Sequence, residues 1–476
     1  MIEKETLELL EWPRLCQHLA TFAATKLGAI AARNLTLPIT RSQSLDTLAQ
    51  TVEVHRFESE VEEPWTLNGI TDIGDALERA RLGGVLSGEE LINLATTLSG
   101  MRRLRRLLEA QDEGEYPVIT DLITTVRTYP ELEKAIHHCL DDGGDVTERA
   151  SPKLTEIRQS IRAYRSQINQ TLQRLLQSRS AAMQELVITQ RGDRFVVPVK
   201  VTHKEQVLGI VHDMSSSGAT LYVEPKSITE TGNRLRQQYR REQVEVEAIL
   251  RELSEKVQAV VDDLEHLLAI ATTLDLATAR ARYGRWLEGY PPTFCEAGSV
   301  EIEMTLRQLR HPLLVWQEKH EEGASVVPID VKIAPPTRVV AITGPNTGGK
   351  TATLKAIGLA ALMAKAGLFI PAYSPVTLPW FERILADIGD EQSLQQSLST
   401  FSGHIRRISR IVDAVADCPN SLVLLDEVGA GTDPTEGSAL AIALLKHLAE
   451  NSLLSVATTH FGELKALKYD DERFEN

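Results

Sequence analysis

Apolar residues recur every three or four positions through the first 145 or so residues, which is the spacing of one face of an α-helix. The clearest stripe consists of Leu91, Leu94, Leu98, Met101, Leu104 and Leu108. Ser44, Asp72 and Ser87 stand where helix N-caps are expected, and Glu90 follows Ser87 at the spacing of a capping box. We therefore predict an all-α core domain over residues 1–150.

A near-heptad stripe follows Pro152, and a second one returns about ninety residues later. The first consists of Leu154, Ile157, Ile161, Tyr164, Ile168, Leu172 and Leu175, and the second of Val246, Leu250, Leu253, Val257, Val260, Leu264 and Leu267. Two such stripes around a shared insert favour an antiparallel coiled coil, roughly 40 Å long. We predict an ascending lever helix over residues 151–184 and a descending lever helix over 228–290.

Between the two stripes the apolar period changes from that of a helix to that of a strand. Strand-like runs occupy residues 186–188, 194–199, 208–211 and 219–223, and turn residues separate them at 191–193 and 215–218. We predict a small β-rich clamp insert over residues 185–227.

After Pro291 and Pro292 the chain alternates between short apolar runs and helical stretches, which predicts an α/β domain over residues 291–476. Its most informative stretch has the form G-x-x-x-x-G-K-[ST], after a β-branched run and before a helical one. We predict a phosphate-binding loop made by Gly344, Pro345, Asn346, Thr347, Gly348, Gly349, Lys350 and Thr351. Backbone N–H groups and the helix N-terminus attract phosphate there. Lys350 would reach the β- and γ-phosphates of ATP, and the Thr351 hydroxyl would ligate Mg²⁺.

Two more apolar runs end in polar residues and complete the predicted site. Residues 421–425 lead into Asp426 and Glu427, and residues 453–459 lead into His460. Asp426 is placed to hold Mg²⁺ directly or through water, and Glu427 to orient the attacking water. Taken alone, His460 would be an ordinary surface histidine; at the catalytic edge of a parallel sheet, we interpret it as a sensor of the γ-phosphate.

Charge restricts how this chain could bind a polyanion. The net charge of −15 over 476 residues argues against nucleic-acid binding over the whole surface, but a local basic site is compatible with it. The predicted clamp insert carries Arg191, Arg194, Lys200 and Lys204. We interpret these four as contacts to a phosphate backbone, the alternative being that they are simply solvated.

Other sequence features indicate the cellular compartment of the protein. The acidic N-terminus has no apolar segment typical of a signal peptide, and no apolar run reaches membrane-spanning length. Four scattered cysteines without C-x-x-C spacing indicate reduced thiols rather than a zinc site. We expect a cytoplasmic protein without a membrane partner.

The motifs of the α/β domain resemble those of the MutS family of ATPases. The resemblance rests on residues 343–351, on 424–434 and on Thr458-Thr459-His460-Phe461. Thr347 and residues 398–404 and 433–437 resemble one branch, the second MutS subfamily, whose full-length members carry a C-terminal Smr nuclease domain. The mismatch-reading domain of repair MutS is not recognisable.

The resemblance implies an ABC-type ATPase whose homodimer sandwiches ATP and Mg²⁺. Ser399 and Thr400, which match the family's signature segment, would complete the partner's site, and Arg310-His311-Pro312 would enter the adenine side. The implied function is an ATP-gated clamp on branched DNA that suppresses homologous recombination. An alternative implied activity is the splitting of collided ribosomes through rRNA contacts, which is ribosome rescue. A structural coiled-coil chromosome ATPase is less favoured, because its P-loop would precede the coil.

Asn476 follows His460 closely, so the remaining ATPase strands, the dimerising helices and the Smr domain implied by the resemblance have no sequence here. We expect a truncated chain with an incomplete ATPase domain. Endonuclease activity, expected of full-length members, should be absent, and dimerisation and turnover should be weakened.

Overall fold

The computed structural model describes residues 2–112, 114–295, 303–321, 323–344, 349–389 and 400–476. It divides into two compact units. The first unit comprises Met1–Asn68, Met101–Val126 and Leu267–Asn476, and the second unit comprises Gly69–Gly100 and Arg127–His266. The predicted multidomain, mixed α/β character is confirmed, and the residues predicted as one helical core domain, 1–150, are distributed over both units.

Helices predominate in the first part of the chain, and helices and strands alternate in the last part. The α-helices are α1 (Lys4–Leu9), α2 (Trp12–Ala20), α3 (Lys26–Arg33), α4 (Arg41–Glu60), α5 (Gly74–Arg81), α6 (Gly88–Glu109), α7 (Pro117–Thr124), α8 (Pro130–Cys139), α9 (Pro152–Ser178), α10 (Lys226–Gln258), α11 (Val261–Trp286), α12 (Pro312–His320), α13 (Lys350–Lys365), α14 (Thr400–Asp417), α15 (Pro434–Asn451) and α16 (Leu467–Asp470). The strands are β1 (Thr189–Arg191), β2 (Arg194–Lys200), β3 (Gly209–Met214), β4 (Thr220–Pro225), β5 (Thr293–Phe294), β6 (Met304–Leu309), β7 (Ile329–Ile333), β8 (Val339–Thr343), β9 (Tyr373–Leu378), β10 (Arg383–Asp387), β11 (Ser421–Leu425), β12 (Leu454–Thr459) and β13 (Phe474–Glu475).

A five-stranded parallel sheet in the order β10-β11-β12-β8-β13 organises the first unit. Residues of β11 alternate between two hydrophobic cores: Leu422 and Leu424 join the core that includes α13, whereas Val423 and Leu425 join the core that includes α15. Burial on both faces explains why this strand is a continuous apolar run in the sequence. The carboxyl ends of β10, β11, β12 and β8 therefore meet along one edge of the sheet.

A smaller mixed sheet, ordered β5-β9-β6-β7, adds its apolar face to the core that covers α13. Met304, Leu306 and Leu309 of β6 are buried there. This sheet lies beside α12, so the segment around His311 is brought to the N-terminal half of α13.

Buried polar contacts fix α11 within the first unit. Asp275 is fully buried and accepts hydrogen bonds from the backbone N–H groups of Ala24 and Thr25, both at 2.8 Å. Arg280, also buried, donates to the carbonyl of Ala366 just after α13. A cation at this position interacts favourably with the negative end of the helix dipole.

In the second unit, α9 and α10 pack antiparallel. Ser151 pairs with Glu245 at 2.8 Å and Arg158 with Glu242 at 2.7 Å, so the first half of α10 is the partner of α9. The predicted pairing of residues 154–175 with 246–267 is therefore wrong.

The later stripe packs elsewhere, because α10 continues past the start of α9 and contacts α5 and α8. Ser254 accepts a hydrogen bond from the Leu86 amide there, at 2.8 Å. The single descending helix predicted over 228–290 is also wrong, since α10 ends at Gln258 and α11 begins at Val261.

The predicted clamp insert is an antiparallel four-stranded sheet in the order β1-β2-β4-β3. Its first strand begins at Thr189, after the run 186–188 that the pattern suggested.

Among the predicted caps, the Ser87 hydroxyl and the Glu90 carboxylate form the capping box, whereas Ser44 lies inside α4, which Thr40 caps. No helix in the described residues is both long and apolar enough to span a bilayer.

Candidate nucleotide and metal site

The glycine-rich segment 344–349 lies in the chain between the end of β8 and the start of α13. Gly349 has a left-handed φ of 76° and occupies the N-cap of α13, a conformation that glycine adopts without a Cβ penalty. The Lys350 ammonium donates to the carbonyl oxygen of Gly344 at 2.7 Å, and its side chain is buried. Pro345, Asn346, Thr347 and Gly348 lie outside the described residues.

Asp426, at the end of β11, lies next to the first turn of α13. The Thr351 hydroxyl donates to one oxygen of its carboxylate at 2.8 Å, and the Thr458 hydroxyl donates to the other. A hydroxyl and a carboxylate are the hard oxygen ligands that Mg²⁺ prefers. Thr351 and Asp426 therefore fit a magnesium site at this point, and their role as metal ligands stays a prediction.

Glu427 has an unusual backbone, with a left-handed φ of 49°. Its amide donates to the Thr458 hydroxyl at 2.8 Å, which ties the turn to β12. Two residues on, a Cβ at Gly429 would stand 2.4 Å from the Gly437 carbonyl oxygen, so that position requires glycine. Left-handed backbone at a residue other than glycine concentrates at functional sites. The turn directs Glu427 to the edge of the sheet, where its side chain is half-buried.

His460 immediately follows β12 on the same edge. Thr459 pairs with Thr343 of β8, so His460 lies beside the strand that enters the glycine-rich turn. The imidazole is exposed and stands 4.3 Å from the ring of Phe461. This position agrees with the predicted edge, and its role as a phosphate sensor stays a prediction.

A mostly apolar cavity of about 380 Å³ opens beside the N-terminal turns of α13. Its lining includes Leu309, His311, Leu314, Val326, Val327, Gly349, Ala352 and Thr353. Burial lowers the pKa of His311 to about 4, so its ring is neutral at physiological pH. Apolar walls and a neutral heteroaromatic ring suit a flat base, and Arg310 instead donates to the Leu287 carbonyl oxygen.

One cluster at this edge was missed by the sequence reasoning. Asp387 ends β10, and its buried carboxylate binds His404 at 2.8 Å and Arg407 at 2.7 Å. The hydrogen bond that the Asp387 carboxylate accepts from His404 is the main cause that raises the pKa of His404. The signal that could have found Asp387 is the one that identified Asp426, an acidic residue closing a short apolar run. The signature residue Ser399 lies outside the described residues; Thr400 begins α14, and its side chain is not described.

In the clamp insert, the four predicted basic contacts have different surroundings. Arg194 pairs with the buried Glu224 at 2.8 Å, so its guanidinium stabilises the insert, which does not support its prediction as a nucleic-acid contact. Arg191 pairs with Asp213 at 2.9 Å and lies over the ring of Tyr222.

The two lysines of this group lie nearer to the solvent. Lys200 donates to the Ala181 carbonyl oxygen, and the Lys204 side chain is exposed. For Arg191, Lys200 and Lys204, contact with nucleic acid stays a prediction.

Comparison with known proteins covers the whole chain. A family model described as MutS domain V matches residues 340–476. The endonuclease MutS2 of Synechocystis sp. is 61% identical over 491 residues, covering 100% of this chain and 59% of that protein. The endonuclease MutS2 of Shouchella clausii is 41% identical over 98% of the chain and 58% of its own length. The endonuclease MutS2 of Halalkalibacterium halodurans is 40% identical over 98% of the chain and 59% of its own length. The chain thus spans somewhat less than two thirds of these relatives.

Proposed function

The chain belongs to the second MutS subfamily, and from this premise we propose that it is a nucleic-acid-binding ATPase that binds and hydrolyses ATP with Mg²⁺. The single observation that carries the ATPase proposal is the 2.8 Å hydrogen bond from Thr351 to Asp426. It joins the start of α13 to the end of β11 across 75 residues of sequence. A magnesium nucleotide requires a hydroxyl and a carboxylate that meet in this way at the start of a helix.

In the proposed mechanism, the residues of the site have separate tasks. Lys350 and the N-terminus of α13 bind the phosphates of ATP. Thr351 and Asp426 would hold Mg²⁺, which would neutralise negative charge on the phosphates. Glu427 orients the attacking water and accepts its proton. His460, on the neighbouring strand end, contacts the γ-phosphate. The base enters the cavity beside His311, where apolar walls exclude water.

The target of the clamp is proposed to be branched DNA, with suppression of homologous recombination as the role. The proposal further includes a homodimer in which Ser399 and Thr400 complete the partner's site, and lever helices that transmit closure to the insert. The cations of the insert would contact a DNA or an rRNA backbone equally well. Affinities for a four-way junction and for a stalled disome, measured in parallel, test the choice, and tighter binding to the disome would favour ribosome rescue.

The first test replaces Lys350 by alanine. Because the ammonium makes charge-assisted contacts to phosphate, ATP affinity measured by calorimetry should fall by roughly 100-fold or more. Lys446→Ala, which removes an exposed lysine from α15, is the matched control and should bind as the wild type does. Equal affinities for Lys350→Ala and the wild type would refute the nucleotide site.

The second test separates binding from hydrolysis. Glu427→Gln keeps the size of the side chain but removes the base, so ATP should still bind while turnover falls by roughly 10²- to 10⁴-fold. Single-turnover hydrolysis measures the effect. Unchanged turnover would remove Glu427 as the residue that activates water.

A further inference from the structure

Asp387 places a third carboxylate beside the two that the proposed mechanism uses. In the register of the parallel sheet Asp387 is opposite Leu425, and its carbonyl oxygen accepts the Asp426 amide at 2.8 Å. Its side chain is only 3% exposed. A buried carboxylate close to a site for a polyanion is costly unless cations neutralise it.

Two basic side chains from a single helix contact this carboxylate. His404 and Arg407 lie one turn apart on α14: His404 Nδ1 contacts both oxygens of the Asp387 carboxylate, at 2.8 and 3.0 Å, and Arg407 donates to one of them at 2.7 Å. Arg407 also donates to Glu5 of α1 at 2.9 Å. Asp387 is thus held by side-chain contacts from α14, while its backbone holds Asp426.

We propose that Asp387 is a positioning residue for the magnesium-binding Asp426, and that the side chains of His404 and Arg407 fix the position of Asp387. This inference rests on the proposed ATPase function. Asp426 receives its orientation from three neighbours: the hydroxyls of Thr351 and Thr458 fix its carboxylate, and the carbonyl of Asp387 fixes its amide. Because His404 and Arg407 belong to α14, the position of the metal ligand depends on the position of that helix.

A merely structural role of Asp387, His404 and Arg407 predicts a different dependence of ATP binding on Mg²⁺. If the cluster only attached α14 to the sheet, its loss would lower stability without changing how Mg²⁺ supports ATP binding. If it positions Asp426, its loss should raise the Mg²⁺ requirement, since partners that orient a metal ligand typically contribute 10- to 100-fold to metal affinity.

The experiment titrates ATP into the full chain by calorimetry at a series of Mg²⁺ concentrations, and once in EDTA. For Asp387→Asn and His404→Ala, we expect the Mg²⁺ concentration at half-maximal binding to rise roughly tenfold, with the metal-free affinity unchanged. His404→Asn retains a donor near the position of Nδ1 and should restore part of the effect. Arg406→Ala removes an exposed cation from the same helix and should match the wild type.

Thermal unfolding identifies any variant that does not fold. If Asp387→Asn does not fold, the comparison of His404→Ala with His404→Asn tests the inference by itself. Unchanged Mg²⁺ dependence in the folded variants overturns the inference and leaves the ATPase proposal intact. Absence of ATP binding in the wild type overturns the ATPase proposal, and the inference with it. A rise shared equally by Arg406→Ala would also overturn the inference, because it would show a general effect of charge.

Discussion

The same trio of side chains occurs in each unit: a buried carboxylate held by one histidine and one arginine. In the first unit Asp387 is held by His404 and Arg407, and in the second unit Glu224 is held by His212 at 2.7 Å and Arg194 at 2.8 Å. Both carboxylates are almost fully buried. The trios differ in what lies on the strand next to the carboxylate residue.

Beside Asp387 stands Asp426, whose amide it binds, and beyond it the turn that carries Glu427. Glu224 lies in β4, and the trio joins β2, β3 and β4 of the insert, with one further hydrogen bond from Arg194 to Asn233 of α10 at 3.2 Å. The comparison teaches that a buried ionic trio is not in itself a functional signal. What gives the first trio a proposed function is the backbone hydrogen bond between Asp387 and a candidate metal ligand, Asp426.

The largest effect should come from breaking the trio of the insert. Glu224→Gln leaves Arg194 and His212 around a neutral group, and removing one partner of a buried ion pair costs about 3 kcal/mol. Hydrogen exchange of β2 and β4 should therefore become faster, while ATP affinity is unchanged. Glu230→Gln, which removes an exposed partner of Arg234, is the control and should have almost no effect. A change in ATP affinity for Glu224→Gln would break the distinction between the trios.

A moderate effect is expected from pH at the other trio. Asp387, and more weakly Asp426, raise the pKa of His404, while Arg407 and burial lower it, and the net direction is upward. A raised pKa in the folded state means that the stabilisation is complete below the unfolded value of about 6.5 and is lost as pH rises through the folded pKa. The thermal midpoint of the wild type should therefore fall relative to that of His404→Asn from about pH 6.5 upward.

Two other histidines act in the opposite sense and in a different pH window. Burial lowers the pKa of His18 and of His311 to about 4, so these groups destabilise the fold as pH falls below about 6.5. Above pH 6.5 the comparison with His404→Asn isolates His404, because Lys365, whose pKa burial lowers to about 8, titrates in both proteins. Parallel pH curves for the wild type and His404→Asn in that window would contradict the prediction.

The smallest effect concerns the exposed cations of the insert. If Lys204 contacts a phosphate, Lys204→Ala should reduce the slope of log affinity against log salt by about one, measured on a four-way junction. Arg194→Ala should instead weaken binding by destabilising the insert, visible in hydrogen exchange. An unchanged slope for Lys204→Ala would leave this lysine as a solvated side chain.

The sequence was most informative where burial leaves a continuous pattern. The strand that precedes Asp426 is buried on both faces, so it contains an unbroken apolar run whose end marks the edge of the sheet. The strand that precedes His460 is also buried but contains Ser455, Thr458 and Thr459, and the strand that precedes Gly344 is only partly buried. The ends of these runs indicated which residues lie at the edge of the sheet, whereas the order of the strands comes from the structure.

Other features could not be predicted because they depend on which surfaces meet. Periodicity shows that α10 has an apolar stripe, but it does not show that residues beyond Glu245 pack on α5 and α8 instead of α9. Likewise, Arg194 looks free in sequence because its partner Glu224 is 30 residues away. The His404–Asp387 pair was missed for the same reason, since the sequence does not show which charged residues lie close together in the fold.

The left-handed backbone of Glu427 has a consequence for any attempt to make this protein more heat-resistant. A non-glycine residue in that region costs roughly 1–2 kcal/mol, and glycine or asparagine would adopt the same turn with less strain. Screens that reward thermal tolerance alone should therefore favour Glu427→Gly or Glu427→Asn. Such variants would survive heating better and fail to turn over ATP, so a screen of this family should select for both properties at once.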